Sequence, residues 1–442
     1  MSWRKVKLGE LVDNFSVRAK DVGGAEGLEF FGVSNEVGIT KTKYAAEDKA
    51  EDYKIIEQYC FAYNPYRVNV GSIGMVTENI KGLISPAYVV FKPKPNSIKA
   101  ELLLKFLKSS EGLRQIRFYA RGTVRQALRF EDLCNIELSL PDYDEQEILF
   151  EKLNSIQIET DVLTTELSYQ EDLLKQLRQA FLKDAMQGKL VKQDKKDGNA
   201  KELLQKIKAE KEKLIADKKI KREKELPPIN DEGTPFDIAQ NWVWCRLGDI
   251  CFKITDGFHN TPPKVSEGFP YIAATHVKSD KIAWENCHYV SEKYHRELFV
   301  KTFPQKGELL VVNIGAGCGT PAIIDVDYEF SFKNTAILKF NQSLVSNKFL
   351  FYYFLLRKDE IYTELTKGGL QPFLSLKILN EIYFPLPPLQ EQKRIINKLE
   401  EVMNLCEELK TTITDNQNYT DQLLQVALKE ALQKESSVKM TG

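Results

Sequence analysis

The chain has 442 residues, room for two or three domains, and its 43% apolar and 28% charged content describes a globular protein rather than a disordered or fibrous one. Its longest apolar run, 349–356, is far too short to span a bilayer, and the opening residues lack an apolar h-region, so the cytoplasm is the expected location. A formal charge of −1 leaves nucleic-acid binding open, because net charge hides local patches, and seven cysteines without a CxxC pair or a Cys/His ligand spacing are expected to be thiols.

Residues 1–143 form the first expected domain. Short β-type runs at 59–63 and 87–91 flank a glycine-bearing turn at 71–74, and a helix is expected near 101–108. Residues 144–188 read as one amphipathic spacer helix. Leu149, Leu153, Ile156, Leu163, Leu167, Leu174, Leu177 and Phe181 follow alternating steps of three and four, the seam of a coiled coil. Asp144 with Glu147 is placed to cap it, Gly188 suits the left-handed position after it, and Gln170 would sit in the seam as a register-fixing amide. At 1.5 Å per residue such a helix is about 60 Å long, and its apolar stripe needs a partner. Residues 189–234 are dominated by Lys, Glu and Asp, with only Leu203, Ile207 and Leu214 to build a face, which predicts a solvated helical linker.

The second expected domain, 235–388, repeats the first. Leu8-Gly9-Glu10-Leu11 recurs as Leu247-Gly248-Asp249-Ile250 at an offset of 239, and runs at 309–314 and 336–340 flank the glycines of 315–319. That glycine turn has no Lys-Ser/Thr after it and lies between strands, so it reads as a β-turn and not as a phosphate cradle. A shift of 246 then carries 144–188 onto 390–434 without a gap, Glu145-Gln146 falling on Glu391-Gln392 and Gln170 on Asn416. The last segment, 389–442, is therefore a second spacer helix. Length changes lie inside the domains and none in the helices, so something fixes helix length. The expected fold is α+β: two mixed α/β domains joined by two long antiparallel coiled-coil helices in a pseudo-twofold tandem, with a domain at each end as in a caliper.

The Pro-x-x-x-Glu-Gln entries to both helices (141–146 and 387–392), the phrase Gln187-Gly188-Lys189-Leu190-Val191, and Asn241-Trp242-Val243-Trp244 followed by Leu247-Gly248-Asp249-Ile250 resemble the specificity subunit of type I restriction-modification systems. Asp256-Gly257-Phe258-His259-Asn260-Thr261-Pro262 is similar to a loop of that family's target recognition domains; the first domain has no such loop. The resemblance implies a DNA reader whose two domains recognise the halves of a bipartite, asymmetric site. It also implies partners: two modification subunits that methylate adenine with S-adenosylmethionine, and restriction subunits that use ATP and magnesium. The chain itself would bind none of these cofactors. Exposed apolar helix residues would dock the modification subunits, with Phe150 and Met186 as candidates.

Arg114, Arg117, Arg121, Arg125 and Arg129 fall within 112–130 with no acidic residue among them. Arginine grips phosphates or pairs with guanine, and Tyr119 and Gln126 add stacking or adenine contacts. A solvated basic helix face is the competing reading. The counterpart stretch is not basic, yet Lys367, Gly368, Gly369 and Gln371 fall on Arg121, Gly122, Thr123 and Arg125, which favours this loop as the DNA-facing element of both domains. His259, Asn260, Thr261 and Lys264 make a second candidate loop. No catalytic constellation stands out: Asn64-Pro65-Tyr66 lacks the second proline of an adenine methyltransferase motif, and Glu210-Lys211-Glu212-Lys213 is a product of composition. Two rival readings stay open, a coiled-coil scaffold whose domains bind protein and a self-contained methyltransferase.

Overall fold

The computed structural model describes residues 3–35, 37–42, 47–121, 126–222, 225–229, 233–258, 261–279, 281–368 and 371–432. The chain forms two compact units, residues 1–170 with 412–442, and residues 171–411. Each long helix therefore contributes one half to each unit.

In the first unit Arg4–Lys7 pairs antiparallel with Glu137–Leu140, so the two ends of the domain meet. An antiparallel sheet follows in the order Val12–Asn14, Val89–Pro93, Phe61–Tyr63, Ile73–Met75. Its Phe61, Tyr63 and Phe91 share a core with Leu102, Leu103 and Phe106 of the helix Ala100–Lys108. A second sheet runs Gly38–Lys41, Glu29–Ser34, Lys81–Ile84, Lys54–Glu57, its central pair parallel. The turn expected at 71–74 is displaced: Gly71 closes the 3-10 turn Val68–Val70, and Gly74 lies inside a strand, opposite Ala62.

The second unit has the same plan. Val243–Arg246 pairs with Tyr383–Leu386, and one sheet runs Cys251–Asp256, Thr335–Phe340, Leu309–Val312, Pro321–Ile323. Its last two strands are joined by the predicted glycine turn, with Gly319 N–H donating to Val312 O at 2.8 Å. The other sheet has three strands, His288–Val290, Phe269–Ala273 and Ser331–Lys333, the last two parallel as in the first unit. The fourth strand of the first unit, Lys54–Glu57, has no counterpart here among the described residues.

The charged linker is not free in solvent. Helix Ala200–Ala216 buries Ala200, Leu203 and Ile207, the two larger of them in the second unit's main core. Lys211 Nζ donates to the carbonyls of Gly248 (2.7 Å) and Cys251 (3.0 Å), and Lys208 pairs with Asp249 at 3.3 Å. Few apolar residues suffice because lysines dock on backbone carbonyls while their stems cover apolar surface.

The spacer helices are Glu145–Gln187 and Leu389–Leu432. Within each unit they run antiparallel. In the first, Leu149 and Leu153 share a core with Leu424; in the second, Leu182 and Met186 share one with Ile395 and Leu399, and Arg178 meets Glu407 at 2.9 Å. Their buried positions recur every seventh residue, Leu153, Thr160, Leu167 and Leu174 on one and Leu399, Cys406, Ile413 and Thr420 on the other. This corrects the expected seam: Leu163 (47%), Leu177 (42%), Leu409 (52%) and Leu423 (55%) are exposed, and so are Gln170 and Asn416. Thr160 and Thr420 are the buried polar layers instead, their hydroxyls donating to Gln157 O and Asn416 O of their own helices (2.9 and 2.8 Å). Met186 is fully buried, so it is no docking residue.

Both helix starts are clamped by the repeated glutamine. Gln146 Oε1 accepts the backbone N–H of Lys99 and Gln392 Oε1 that of Ser346, each at 2.8 Å, at the N-cap of each domain's main helix. Glu147 meets Lys99 at 2.7 Å rather than completing a box with Asp144. The central helix ends as predicted, with Gly188 at φ 75° and Lys189 N–H donating to Asp184 O at 2.8 Å. A Cβ at Gly188 would also lie 2.8 Å from Ala239 Cβ and 3.0 Å from the Trp242 ring. Gly188→Ala is expected to cost about 2 kcal/mol or more, from left-handed strain plus overpacking, read as a lower urea midpoint of the full chain.

Candidate nucleic-acid interface

Both domains carry the same small device after their helical segment. Arg121 N–H donates to Ala127 O (3.0 Å) and Ala127 N–H to Arg121 O (2.8 Å), closing the loop 122–126; Lys367 and Phe373 do the same at 3.0 and 2.8 Å around 368–372. Both loops dock beyond the end of the same strand of the antiparallel sheet, through Leu128 N–H to Pro65 O (3.1 Å) and Leu374 N–H to Asn313 O (2.8 Å). Asn313 itself is buried beside the glycine turn. The matching positions of the two loops are 246 apart, the offset that relates the helices.

Around the first loop three of the described arginines are anchored one by one. Arg114 pairs with Glu111 at 2.5 Å, Arg117 Nε donates to Asn69 O at 3.1 Å, and Arg121 meets the nearly buried Asp132 at 2.9 Å. Arg117, Arg121 and Gln126 are exposed, while Tyr119 is half-buried, edge-on to Phe118 at 5.0 Å. Thr123 and Arg125 lie outside the described residues. Sequence reasoning missed Phe118, which is 75% exposed on the last turn before the loop. A lone phenylalanine in an amphipathic helix reads as core. Only its phase, two residues and roughly 200° from the buried Ile116, could have flagged it.

In the second unit Lys367 and Gln371 are exposed beside their loop, and a second loop straps the three-stranded sheet from edge to edge. It leaves one outer edge at Phe258, which bridges Lys333, and returns to the other at Val265, whose N–H donates to Tyr289 O at 3.0 Å. Gly257 makes the entry possible, since a Cβ there would lie 2.3 Å from Phe332 O. Thr261 and Lys264 are exposed, and the Thr261 hydroxyl is bonded by Lys333 Nζ. His259 and Asn260 lie outside the described residues. In the first unit the edge used by Phe258 is occupied by Lys54–Glu57 pairing with Lys81–Ile84, the physical reason that domain has no such loop. Near the strap, burial and the charges of Lys264, His276 and Lys333 hold the His288 imidazole below its usual range.

One constellation has the composition of a hydrolase site. His295 Nδ1 lies 2.9 Å from Ser331 Oγ and its Nε2 3.2 Å from Glu329. His295 is fully buried, stacked on Phe269 at 3.9 Å, and Ser331 is 1% exposed, so no substrate carbonyl reaches the hydroxyl. Burial keeps the imidazole pKa low, and the group packs helix Glu292–Thr302 onto the sheet. Among the described residues no cluster of His, Cys, Asp or Glu is arranged to hold a metal ion, and no helix is long and apolar enough to cross a membrane.

Residues 2–169 and 239–416 match the family model described as "Type I restriction modification DNA specificity domain". The chain is 31% identical over 253 residues to the type I restriction enzyme EcoAI specificity subunit of Escherichia coli, covering 54% of this chain but 41% of that protein. The EcoDI specificity subunit of the same organism is 24% identical over 98% of this chain and 89% of its own length. A solved structure titled for complex assembly and conformational transition of the type I R-M system aligns over 97% of both chains with a TM-score of 0.65 at 19% identity. The HsdS subunit from Thermoanaerobacter tengcongensis aligns over 97% of this chain and 96% of its own, at 0.54 and 17%. Those two likenesses show a shared fold.

Proposed function

Because the chain belongs to the family of type I restriction modification DNA specificity domains, we propose that it is the DNA-reading subunit of such a complex, recognising a bipartite asymmetric site with one half-site per domain. The observation that carries this is the pair of loops closed by identical backbone bonds yet bearing unlike side chains, Arg121 and Gln126 in one and Lys367 and Gln371 in the other. One scaffold presenting two different reading edges suits two different sequences. Arg117, Tyr119, Thr123 and Arg125 belong with the first loop, and His259, Asn260, Thr261 and Lys264 with the strap of the second domain.

In this reading the chain catalyses nothing. Two modification subunits dock on the spacer helices, where Ile158 (56% exposed) and Val162 (63%) present apolar surface near the half-buried Phe150. The target adenine is flipped into a partner's pocket, which supplies S-adenosylmethionine, and restriction subunits supply ATP and magnesium chemistry. The helices set the unread gap.

Co-expression with the neighbouring modification subunit in a methylation-deficient host, followed by long-read mapping of methylated adenines, tests this directly. A two-part motif with a fixed gap is expected; an assembled complex that methylates nothing would sink the reading. Arg125→Ala with Gln126→Ala is expected to relax the half-site of the first domain alone, and Lys367→Ala with Gln371→Ala that of the second. Each lost base contact should cost roughly 1–3 kcal/mol of discrimination. Motifs unchanged in both double variants would remove the loops from the site.

A further inference from the structure

We infer that Lys333 and Lys264 form a clamp for DNA phosphates on the second domain, at the two sides of the strap loop, and that the first domain has no equivalent. This rests on the DNA-reading assignment and adds a site to it.

The strap ties its outgoing end beside Lys333, through the Phe258 bridge, and its returning end beside Tyr289. Lys333, the last residue of its strand, reaches the strap's Thr261 hydroxyl, and Lys264 is exposed one residue before the strap rejoins the sheet. Neither lysine forms an ion pair among the described residues. Other lysines of the same domain do: Lys301 holds Asp256 (2.8 Å), Lys306 holds Asp327 (2.8 Å) and the buried Lys339 holds Glu308 (2.6 Å). These two ammonium groups beside one loop, both close enough to lower the pKa of His288 on the edge strand His288–Val290, leave a positive patch that no described carboxylate pairs with. The lysine ammonium is a compact point charge suited to a phosphodiester oxygen, and the pair of duplexes used below separates that contact from a base contact. Such contacts set register on the duplex and carry no sequence information themselves.

Sheet register identifies the counterpart in the other domain. Ala273 pairs with Lys333 in the parallel ladder, and the equivalent pair in the first unit is Phe31 with Ile84. Ile84 is fully buried, and strand Lys54–Glu57 lies along that edge. The clamp thus accompanies the loop at the sheet edge that a strand occupies in the first unit.

The test uses the full chain assembled with its modification subunit. Two duplexes serve as probes, one bearing the mapped methylation motif and one with the second half-site scrambled, titrated across about 50–200 mM salt. Lys333→Gln keeps a donor for Thr261 but removes the charge. It is expected to weaken both duplexes by the same factor and to lower the slope of log affinity against log salt by about 0.9; adding Lys264→Gln should lower it by about 0.9 again. Lys333→Arg should keep the wild-type slope. Among the described residues Lys264 has no hydrogen-bond or ion-pair partner, so Lys264→Gln alone, with its fold checked by circular dichroism, reads the clamp without disturbing the Lys333 contact to Thr261. A wild-type slope in either glutamine variant overturns the clamp, as does a loss confined to the cognate duplex, which would make the lysine a base reader. If the unaltered complex binds both duplexes equally, the DNA-reading assignment itself fails, and that outcome is separate.

Discussion

Glu391→Ala is expected to destabilise the second unit by about 3–5 kcal/mol, the range for stranding the partners of a buried charge. Glu391 is fully buried at the first turn of the C-terminal helix, and three side chains from two other parts of the chain donate to it. Trp242 Nε1 lies 2.9 Å from Oε1, Asn241 Nδ2 3.0 Å from Oε2, and Gln193 Nε2 2.5 Å from Oε1. The carboxylate joins the opening strand of the domain, the segment after Gly188 and the spacer helix at one point. Alanine leaves the indole and two amides without an acceptor in a site that water reaches poorly. Glu391→Gln keeps one acceptor oxygen of the same shape and should cost less than half as much. Chemical denaturation of the full chain, followed by Trp fluorescence, measures both. An alanine variant within about 1 kcal/mol of wild type would show that the three donors find water or one another instead.

The repeat made much of this structure legible. One offset placed both spacer helices, both glutamine clamps and the two loops at 121–127 and 367–373, because the paired backbone positions that close a loop are inherited with the sequence that spaces them. What it did not reveal has physical causes. The heptad seam was misread because leucines mark apolar faces more loudly than threonines do. Thr160 and Thr420 enter the seam by satisfying their hydroxyls on their own helix backbone, which lowers the cost of burying them, and Leu163, three residues on, stays exposed. The linker looked solvated because only Leu203 and Ile207 carry its apolar docking, and the rest uses polar contacts, Lys211 on two carbonyls and Lys208 on Asp249, that have no apolar signature. Lys333 gave no signal either. Its significance comes from a parallel strand pairing between residues about sixty apart, Tyr271 with Ser331 through Ala273 with Lys333, and such register is not written locally.

Seven residues inserted into both spacer helices, after Gln170 and after Thr411, are expected to lengthen the unread gap of the methylated motif by about three base pairs and to leave both half-sites unchanged. The boundary between the compact units crosses both helices at these points. Seven residues add about 10.5 Å of helix at 1.5 Å each, and a base pair rises about 3.4 Å. The number seven matters because burial recurs at that period on both helices, so a whole heptad returns Leu153, Thr160 and Leu167 to the phase of Leu174, and Leu399 and Cys406 to the phase of Ile413 and Thr420. Four residues inserted into the central helix alone break that phase on one side of the seam only, and should abolish assembly or methylation. An unchanged gap in an active double-heptad variant would mean that the domains, not the helices, choose the separation. The uninterrupted match of the two helical segments would then need another cause, and the docking of modification subunits along the exposed stripe that includes Ile158 and Val162 is the one that also demands fixed length.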